Sequence, residues 1–397
     1  MASTSNYIEE NKIVIVGGGI CGLATALALH KKGLESVVLE RSDTVRTTGA
    51  TILILSNGWR ALDQLGVGAQ LRQIANLITG YRDISLDNGK QEVIPLMKEE
   101  LRCLKRLDLV QRLADNLPLN TIRFGCHAVA VKLDPSTCQP IVQLHDGTSI
   151  KCKVVIGCDG VNSVVSEFVG LKATRSFSTC GVRGFTDYPS GHGFNNEFIR
   201  IRKDNLIFCR TPVNENRMYW FVGLPSTSCD LGVSSEPKLI KQATIKSIMD
   251  FPPDVLEMVK KSDLDSLTLT NIRYLGNFRK GTVIVAGDAM HVMGPFLGQG
   301  GSAALEDAIV LARNLAKEMC GKGSESKQIM QVKIGAAMDR FVKERRMRLI
   351  KLSSQAYLIG MLLEPSSGRF TKLMIILALV VFFSNSNGHA KYNCGHL

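Results

Sequence analysis

Lys12-Ile13-Val14-Ile15-Val16-Gly17-Gly18-Gly19-Ile20-Cys21-Gly22 is the stretch that decides the fold. Its first part is a continuous apolar, β-branched run, which is typical of a parallel strand covered on both faces. Gly17 permits a tight turn, Gly19 lets a phosphate approach the backbone, and Gly22 lets the following helix pack close to the strand. Free amides at that helix N-terminus favour bound phosphates. The residues that we expect to contact a dinucleotide are Gly17, Gly19, Ile20 and Gly22.

A second strand follows the predicted helix over residues 36–39 and ends at Glu40. An acidic side chain about 20 residues beyond the glycines can accept hydrogen bonds from both ribose hydroxyls of an adenosine. For the glycines alone, a turn without any ligand is the alternative. The order of strand, glycine turn, helix, strand and acid favours a dinucleotide site, but it does not distinguish FAD from NAD.

A second glycine-rich segment lies far along the chain, over residues 287–301, directly after another buried-strand run. It begins with Gly287-Asp288, which places Asp288 at a strand end, where it can hydrogen-bond a linear polyol. A flavin has such a ribityl chain, and the nicotinamide half of NAD does not. Gly298, Gly300 and Gly301 precede a predicted helix whose N-terminal amides would stabilise negative charge on a reduced flavin. The two segments together therefore indicate FAD.

The paired segments resemble the FAD-dependent aromatic hydroxylases of the p-hydroxybenzoate hydroxylase type, the group A flavoprotein monooxygenases. A third segment, Val154-Val155-Ile156-Gly157-Cys158-Asp159-Gly160-Val161-Asn162-Ser163, is similar to the Asp-Gly motif of that family, which contacts both FAD and the nicotinamide cofactor. The stretches 55–62 and 344–349 look like the plant monooxygenases described as salicylate-hydroxylase-like. The further cofactor-binding residues that the resemblance implies are Arg41, Arg106 and Asp159.

The resemblance implies an enzyme in which NAD(P)H reduces FAD, O2 forms a C4a-hydroperoxyflavin, and a small phenol or aromatic acid is hydroxylated. Because the cofactor carries this chemistry, no catalytic side chain is predicted. The sequence contains one Gly-x-Gly-x-x-Gly, so we expect NAD(P)H to bind transiently as a cosubstrate. The chain departs from the family at Ser166, where an arginine is usual, and at Ser302, where an asparagine is frequent.

By the same resemblance, the substrate lies between an inserted sheet and Pro295-Phe296. Tyr219 is the strongest candidate for contact, because relatives acting on phenolic or urate-like substrates often place a tyrosine in this strand. Arg183, Arg210 and Phe221 are further candidates. As alternatives, aromatic residues alternating along a strand belong to a core, and arginines form salt bridges. The substrate contacts that we expect first are Tyr219, Arg183 and Pro295.

A chain of 397 residues is long enough for two domains. Alternating strands with turns recur between residues 175 and 275, which indicates an antiparallel sheet inserted into the nucleotide-binding domain. The fold class is therefore predicted as α/β, with a Rossmann-like FAD-binding domain, an inserted mainly antiparallel β-sheet substrate domain and a C-terminal helical segment. The predicted bounds are 1–175 and 276–350 for the discontinuous FAD-binding domain, 176–275 for the substrate domain, and 351–397 for the helical and apolar tail.

Charge and cysteine content argue against several other classes of protein. The net charge of +12 is spread along the chain without a nucleic-acid-binding motif, which favours the steering of anionic ligands over nucleic-acid binding. The 11 cysteines include no Cys-x-x-Cys pair, and the seven histidines show no metal-ligand spacing. We therefore expect neither disulfides nor metal, and a cytoplasmic protein in a reducing compartment. His291 could act in catalysis, but a structural hydrogen bond is the commoner role.

The apolar run over residues 373–383 is shorter than the ~20 residues that a membrane-spanning helix needs. It predicts either a helix packed on the FAD domain or a peripheral membrane anchor, helped by the basic stretch 340–351. Two other functions remain open: a membrane-associated flavin epoxidase of a lipid or terpenoid, and a flavin-binding redox sensor without hydroxylase activity. No oligomeric state is predicted.

Overall fold

The computed structural model of the chain describes residues 11–45, 51–94, 100–171, 179–225, 236–262, 268–270, 278–294, 297–320, 326–362, 368–383 and 388–397. The strands are β1 (Asn11–Val16), β2 (Val37–Leu39), β3 (Thr51–Ile54), β4 (Asn76–Leu77), β5 (Gly80–Ser85), β6 (Gln91–Ile94), β7 (Arg102–Lys105), β8 (Ile122–Arg123), β9 (Ala128–Leu133), β10 (Pro140–Leu144), β11 (Ser149–Gly157), β12 (Thr179–Asp187), β13 (Glu197–Lys203), β14 (Leu206–Asn214), β15 (Arg217–Pro225), β16 (Thr268–Thr270), β17 (Arg279–Lys280) and β18 (Val283–Val285). The helices are α1 (Ile20–Lys31), α2 (Ser56–Gln64), α3 (Gly68–Ile74), α4 (Arg106–Asp115), α5 (Val164–Val169), α6 (Pro237–Ser247), α7 (Pro253–Lys260), α8 (Asp288–His291), α9 (Gly300–Met319), α10 (Lys327–Leu362) and α11 (Arg369–Phe382).

The first sheet has the order β17-β18-β11-β1-β2-β8, and β10 and β9 extend it from β11. Its central strands β18, β11, β1 and β2 are parallel, and their last residues are in register: Val16 pairs with both Gly157 and Leu39, and Gly157 pairs with Val285. The carboxyl ends of these four strands therefore lie side by side at one edge. Ligands of open α/β sheets bind at this edge.

The second sheet has the order β16-β12-β15-β14-β13-β5-β6. All of its pairs are antiparallel except β13 with β5. One face packs on α6 and α7, where the rings of Trp220 and Phe208 are completely buried. Strands β5 and β6 come from the range 1–175, which the sequence analysis assigned to the FAD-binding domain, so that range also contributes to this sheet. The domain bounds themselves stay a prediction.

A small third sheet, in the order β3-β7-β4, lies between the two others. Side chains alternate across a strand, so successive residues of β3 face opposite sides. Ile52 and Ile54 pack into the large core of the first sheet, whereas Leu53 packs with residues of the second sheet. The third sheet therefore joins the nucleotide-binding core to the face of the second sheet opposite α6 and α7.

The predicted α/β class is confirmed, with its parallel nucleotide-binding sheet, its inserted antiparallel sheet and its C-terminal helices. The basic stretch over 340–351 belongs to a much longer helix, α10, of 36 residues. The apolar run falls in α11, of 14 residues. None of the helices in the described part of the chain is both long enough and apolar enough to cross a membrane.

Candidate active site

The segments that the sequence analysis singled out meet at the carboxyl edge of the first sheet. Gly17 has φ +104°, and a Cβ on it would lie 2.5 Å from the Cys158 carbonyl oxygen, so the first glycine turn packs directly on the Asp-Gly segment. A Cβ on Gly287 would lie 2.8 Å from Cβ of Cys21, which brings in the second glycine-rich segment. The hydroxyl of Ser166 donates to the carbonyl oxygen of Ala289 over 2.7 Å. The serine that replaces the usual arginine thus joins two of the three segments.

Glu40 lies beside the first glycine turn and is almost completely buried. Its carboxylate accepts hydrogen bonds from the amides of Gly18, over 2.7 Å, and Ser42, over 3.0 Å. Gly19 precedes α1, and no side chain caps the helix N-terminus. A Cβ on Gly19 would meet no atom within 4 Å, so the space in front of these amides is open. Uncapped amides facing open space beside a carboxylate suit the pyrophosphate and ribose of a dinucleotide.

Asp159 of the Asp-Gly segment has one engaged and one open carboxylate oxygen. Its Oδ2 accepts a hydrogen bond from the Val164 amide over 2.9 Å. Its Oδ1 is buried and has no hydrogen-bond partner among the described residues. Burial raises the pKa of Asp159 even though the Ser163 hydroxyl is close. A buried acceptor without a partner is the group that a bound ligand would satisfy.

The second glycine-rich segment offers an acceptor and a helix N-terminus next to each other. Asp288 is exposed at the first position of α8, and its Oδ1 would lie 3.9 Å from a Cβ on Gly300. Gln299 precedes α9 without any side-chain cap, and Gly298 has φ +60°. This geometry fits the ribityl chain and the ring edge of a flavin. The whole set of residues therefore fits FAD.

The remaining predicted cofactor residues lie around this edge. Ile20 is buried at the start of α1, and Gly22 of the same helix packs against Gly17. Gly301 packs against Ile52 of β3. Arg41 follows Glu40 with an exposed side chain, and Arg106 is exposed at the start of α4. The cofactor roles of these residues stay predictions.

The face of the second sheet opposite α6 and α7 carries the predicted substrate residues. Arg183 pairs with Phe221, and Phe185 pairs with Tyr219, across β12 and β15, so all four side chains are on one face. The Tyr219 side chain packs in the small core between the second and third sheets and is hydrogen-bonded to Arg183. Burial raises the pKa of Tyr219 to about 12, although Arg183 acts to lower it. Tyr219 therefore presents a neutral hydroxyl at neutral pH.

Arg210 does not join this face, which contradicts its candidacy as a substrate contact. It pairs with Trp220, whose ring belongs to the core under α6 and α7. Its guanidinium lies 3.8 Å from the Phe194 ring centroid and 3.8 Å from an Asp254 carboxylate oxygen. Pro295 and Phe296 lie outside the described residues.

A buried group of charged side chains next to the second glycine-rich segment was not predicted from the sequence. Glu306 and Asp307 of α9 contact Arg345 and Arg348 of α10, and all four are buried. A signal was present: Glu306 and Asp307 lie next to each other within the apolar run that opens α9, over residues 303–312, and buried acids need cationic partners. His291 is buried and contacts Asp307, which agrees with the structural hydrogen bond predicted for this histidine.

This fold and site define an FAD-binding enzyme, and its relatives show that it is an FAD-dependent monooxygenase. The chain belongs to the FAD binding domain family, whose sequence profile matches residues 10–328. It is 49% identical over 399 residues to Monooxygenase 1 of Arabidopsis thaliana, covering 98% of this chain and 100% of that protein. It is 36% identical over 402 residues to Monooxygenase 2 of the same plant, covering 97% of this chain and 98% of the relative.

Among solved structures, the chain is similar to Klebsiella pneumoniae HpxO in complex with FAD and uric acid. The TM-score is 0.79 at 20% sequence identity, over 96% of each chain. This likeness shows the same fold. The predicted resemblance to FAD-dependent hydroxylases, the FAD cofactor and the oxidoreductase class are confirmed by the family and its relatives.

Replacing Glu40 with glutamine is expected to weaken FAD binding roughly 10- to 100-fold, since a charged acceptor contributes about 1.5–3 kcal/mol to its hydrogen bonds. Fluorescence titration of the apoprotein with FAD gives the dissociation constant. The matched control is Glu35→Gln, which neutralises an exposed acid a few residues upstream. Equal FAD affinity for the Glu40→Gln variant and the unmodified protein would contradict the predicted role of this carboxylate.

Proposed function

We propose that the protein hydroxylates a small phenol or aromatic acid, including nitrogen heterocycles, with NAD(P)H as the reductant. The observation that carries this proposal is the pair Arg183–Tyr219 on the face of the second sheet opposite α6 and α7. The pair offers one fixed cation and one neutral hydroxyl beside the aromatic rings of Phe185 and Phe221. A planar anionic ring is the ligand that such a set recognises best.

The protein side chains would bind and orient this substrate. The guanidinium of Arg183 attracts a carboxylate or phenolate, and the Tyr219 hydroxyl fixes the orientation of the ring. The apolar residues between the second and third sheets, such as Leu53, Leu101 and Val213, exclude water from one wall. When bound, FAD supplies the activation of oxygen, which protein side chains do not provide. The complex of HpxO with uric acid supports a small heterocyclic substrate for this fold.

NAD(P)H as a transient reductant is supported by the nucleotide fingerprint. One Gly-x-Gly-x-x-Gly is present, and its surroundings suit the pyrophosphate of FAD. The net charge of +12 favours the approach of anionic cosubstrates.

A screen of small phenols and aromatic acids tests the proposal, with NADH and NADPH each supplied as reductant. The expected result is stimulated NAD(P)H consumption and a product heavier by one oxygen atom. Consumption that no aromatic compound stimulates would refute it.

Replacing Arg183 with methionine is expected to raise KM for an acidic substrate roughly 10- to 100-fold, because a charge-assisted hydrogen bond contributes about 1.5–3 kcal/mol. We expect kcat at saturation to change far less, since the contact exists before and during the reaction. Steady-state kinetics on the best substrate of the screen measure both constants. Arg210→Met is the control, since this arginine lies on the other face of the same sheet. Equal effects of the two variants on KM would contradict the assignment.

We also propose a peripheral membrane contact through residues 373–383. Helix α11 carries no acidic residue, and most of its apolar side chains face outward. Its 14 residues span about 21 Å, which suits a helix lying in the membrane interface. Helix α10, which packs against it, carries the exposed cations Lys343, Arg346 and Lys351. An anionic lipid surface complements this charge. The large apolar side chains that are exposed are Phe370, Leu373, Met374, Ile376, Leu377, Val380 and Val381.

The variant L373S/L377S/V381S is expected to lose binding to anionic lipid vesicles. These three positions lie on one face of α11 at intervals of four residues, and each side chain is at least 54% exposed. Co-sedimentation with phosphatidylserine-containing and pure phosphatidylcholine vesicles gives the bound fractions. Leu119→Ser is the control, since Leu119 is 94% exposed elsewhere on the protein. Absence of vesicle binding by the unmodified protein would refute the proposed contact.

A further inference from the structure

Four charged side chains of α9 and α10 form what we call the buried ion network: Glu306, Asp307, Arg345 and Arg348. Arg345 bridges both acids, with 2.7 Å from Nη2 to an oxygen of Glu306 and 2.7 Å from Nε to Oδ1 of Asp307. Arg348 lies 3.1 Å from the other oxygen of Glu306. Two carboxylates face two guanidiniums, so each of these buried ions has an opposite charge beside it.

The buried ion network holds the start of the second glycine-rich segment. Oδ2 of Asp307 accepts a hydrogen bond from the Gly287 amide over 3.0 Å and lies 2.5 Å from Nε2 of His291. Burial alone would lower the pKa of His291, but the Asp307 carboxylate raises it. One carboxylate oxygen thus fixes both ends of α8, and with them the backbone at Asp288.

The buried ion network also contacts Gln299, the residue just before α9. Oε1 of Gln299 accepts a hydrogen bond from Nδ2 of Asn57 over 2.8 Å and a longer one from Arg348 over 3.4 Å. Nδ2 of Asn57 also donates to Oε1 of Glu306 over 2.6 Å. Gln299 itself is completely buried. Gly287, which precedes Asp288, and Gln299, which lies between Gly298 and Gly300, are therefore attached to one set of charges.

Residues 388–397, which we call the C-terminal strap, cover the outer side of the network. Nη2 of Arg348 donates to the His389 carbonyl oxygen over 2.7 Å. The Tyr392 ring centroid lies 4.5 Å from the Arg348 guanidinium carbon and 5.5 Å from that of Arg345. Each guanidinium is therefore close to the aromatic ring on one side and to carboxylates on the other.

Side chains of α2 and α9 attach the strap through its backbone. Arg60 donates to the carbonyl oxygens of Lys391 and Tyr392, over 3.0 and 2.8 Å. Arg313 donates to those of Cys394 and His396, each over 2.8 Å. Gln64 donates to Gly395 over 2.8 Å and accepts from the Leu397 amide over 2.5 Å. A segment held by this many hydrogen bonds to the folded domain is part of that domain, not a loose tail.

We propose that the C-terminal strap is a positioning element for FAD, acting through the buried ion network. Covering Arg345 and Arg348 keeps water away from the ion pairs, and ion pairs are stronger in a medium of low dielectric. The network in turn keeps Gly287 and Gln299, and with them the neighbouring predicted contacts Asp288, Gly298 and Gly300, in the arrangement that receives the flavin. No residue of the strap is among the predicted FAD contacts, so the strap acts on the cofactor through other residues.

The rate of FAD release from the purified holoenzyme tests this proposal, followed by the rise in flavin fluorescence after dilution. Tyr392→Ala removes the ring over both arginines and is expected to release FAD about tenfold faster. Tyr392→Phe keeps the ring and is expected to restore the original rate. Lys391→Ala is the matched control, because Lys391 is hydrogen-bonded to Arg60 only through its backbone.

A double-mutant cycle separates positioning from general stabilisation. If the strap acts through the network, Gln299→Ala and Tyr392→Ala combined release FAD no faster than the more damaging single variant. The proposal would be overturned if the fold-increase in release rate of the double variant equalled the product of the two single increases. It would also be overturned if Tyr392→Ala left the release rate unchanged. Gln64→Ala carries the same test if Tyr392→Ala does not fold, because it loosens the strap only at Gly395 and Leu397. Faster release with an unchanged melting temperature of the Gln64→Ala apoprotein supports the proposal, and an unchanged rate refutes it.

Discussion

Gly22→Ala is expected to abolish FAD retention, whereas Gly19→Ala is expected to weaken FAD binding without harming the fold. A Cβ on Gly22 would overlap the Gly17 carbonyl oxygen. That oxygen cannot move away easily, because Gly17 has φ +104° and packs against the backbone of Cys158. Overpacking of this kind costs about 1–3 kcal/mol, and more when backbone must move. A Cβ on Gly19 meets only open space, so it would obstruct the pyrophosphate alone.

Two measurements on each variant separate these outcomes. Thermal unfolding of the apoprotein reports the fold, and FAD titration reports the dissociation constant. We expect Gly22→Ala to lower the unfolding temperature by several degrees and to bind no FAD. Gly19→Ala should keep the unfolding temperature of the parent and bind FAD at least tenfold more weakly, as expected for loss of close backbone contact with phosphate. Unchanged FAD affinity in Gly19→Ala would refute pyrophosphate binding at this turn.

Asp307→Asn is expected to lower the free energy of unfolding by about 3–5 kcal/mol, because it removes the buried anion that faces His291 and one of the two anions that face Arg345. Burial alone would raise the pKa of Asp307, but His291 and Arg345 lower it to about 2. Denaturant unfolding of the parent and the variant measures the difference. Asp63→Asn is the control, since Asp63 pairs with Arg72 at the surface and is 47% exposed, and such a pair contributes below about 1 kcal/mol.

The sign of the pH dependence follows from the two pKa shifts. A lowered pKa means that the Asp307 contribution is complete above its unfolded pKa of about 3.9 and is lost as the pH falls towards 2. A raised pKa means that the His291 contribution is complete below its unfolded pKa of about 6.5 and is lost at higher pH. The difference between parent and Asp307→Asn should therefore be largest between about pH 4 and 6.5. A difference that keeps growing above pH 8 would contradict this account.

Local patterns predicted the nucleotide-binding half of the fold well. The run up to Gly17, the helix after it and the strand before Glu40 each depend on residues close in sequence. The structure shows both strands within one residue of their predicted bounds, with a helix between them. Asp159 and Asp288 follow parallel strands, so their meeting at one edge follows from the sheet order. Prediction from sequence is therefore most accurate where the residues of a motif are consecutive and form one local structure.

The face of the second sheet on which each side chain lies could not be predicted in the same way. A shift of one residue in strand register moves every side chain to the other face, and the sequence fixes neither the register nor the facing of Arg210. The structure places Arg210 on the α6 and α7 face, near Asp254, as the alternative of a salt bridge predicted. The parallel pairing of β13 with β5 joins residues more than a hundred positions apart and leaves no local signal. Asn57 and Glu306 are separated by 249 positions, yet share a hydrogen bond. Such contacts depend on the packing of helices, which no periodicity in the sequence encodes.

The C-terminal strap has a consequence for how this protein is made. Residues 388–397 leave the ribosome after every predicted FAD contact has already been synthesised, and domains begin to fold during synthesis. A nascent chain can therefore contain every predicted cofactor-binding residue before the C-terminal strap covers the buried ion network. Chains that end before residue 388 are expected to release FAD faster and to unfold locally more often. We therefore expect them to be degraded sooner in cells.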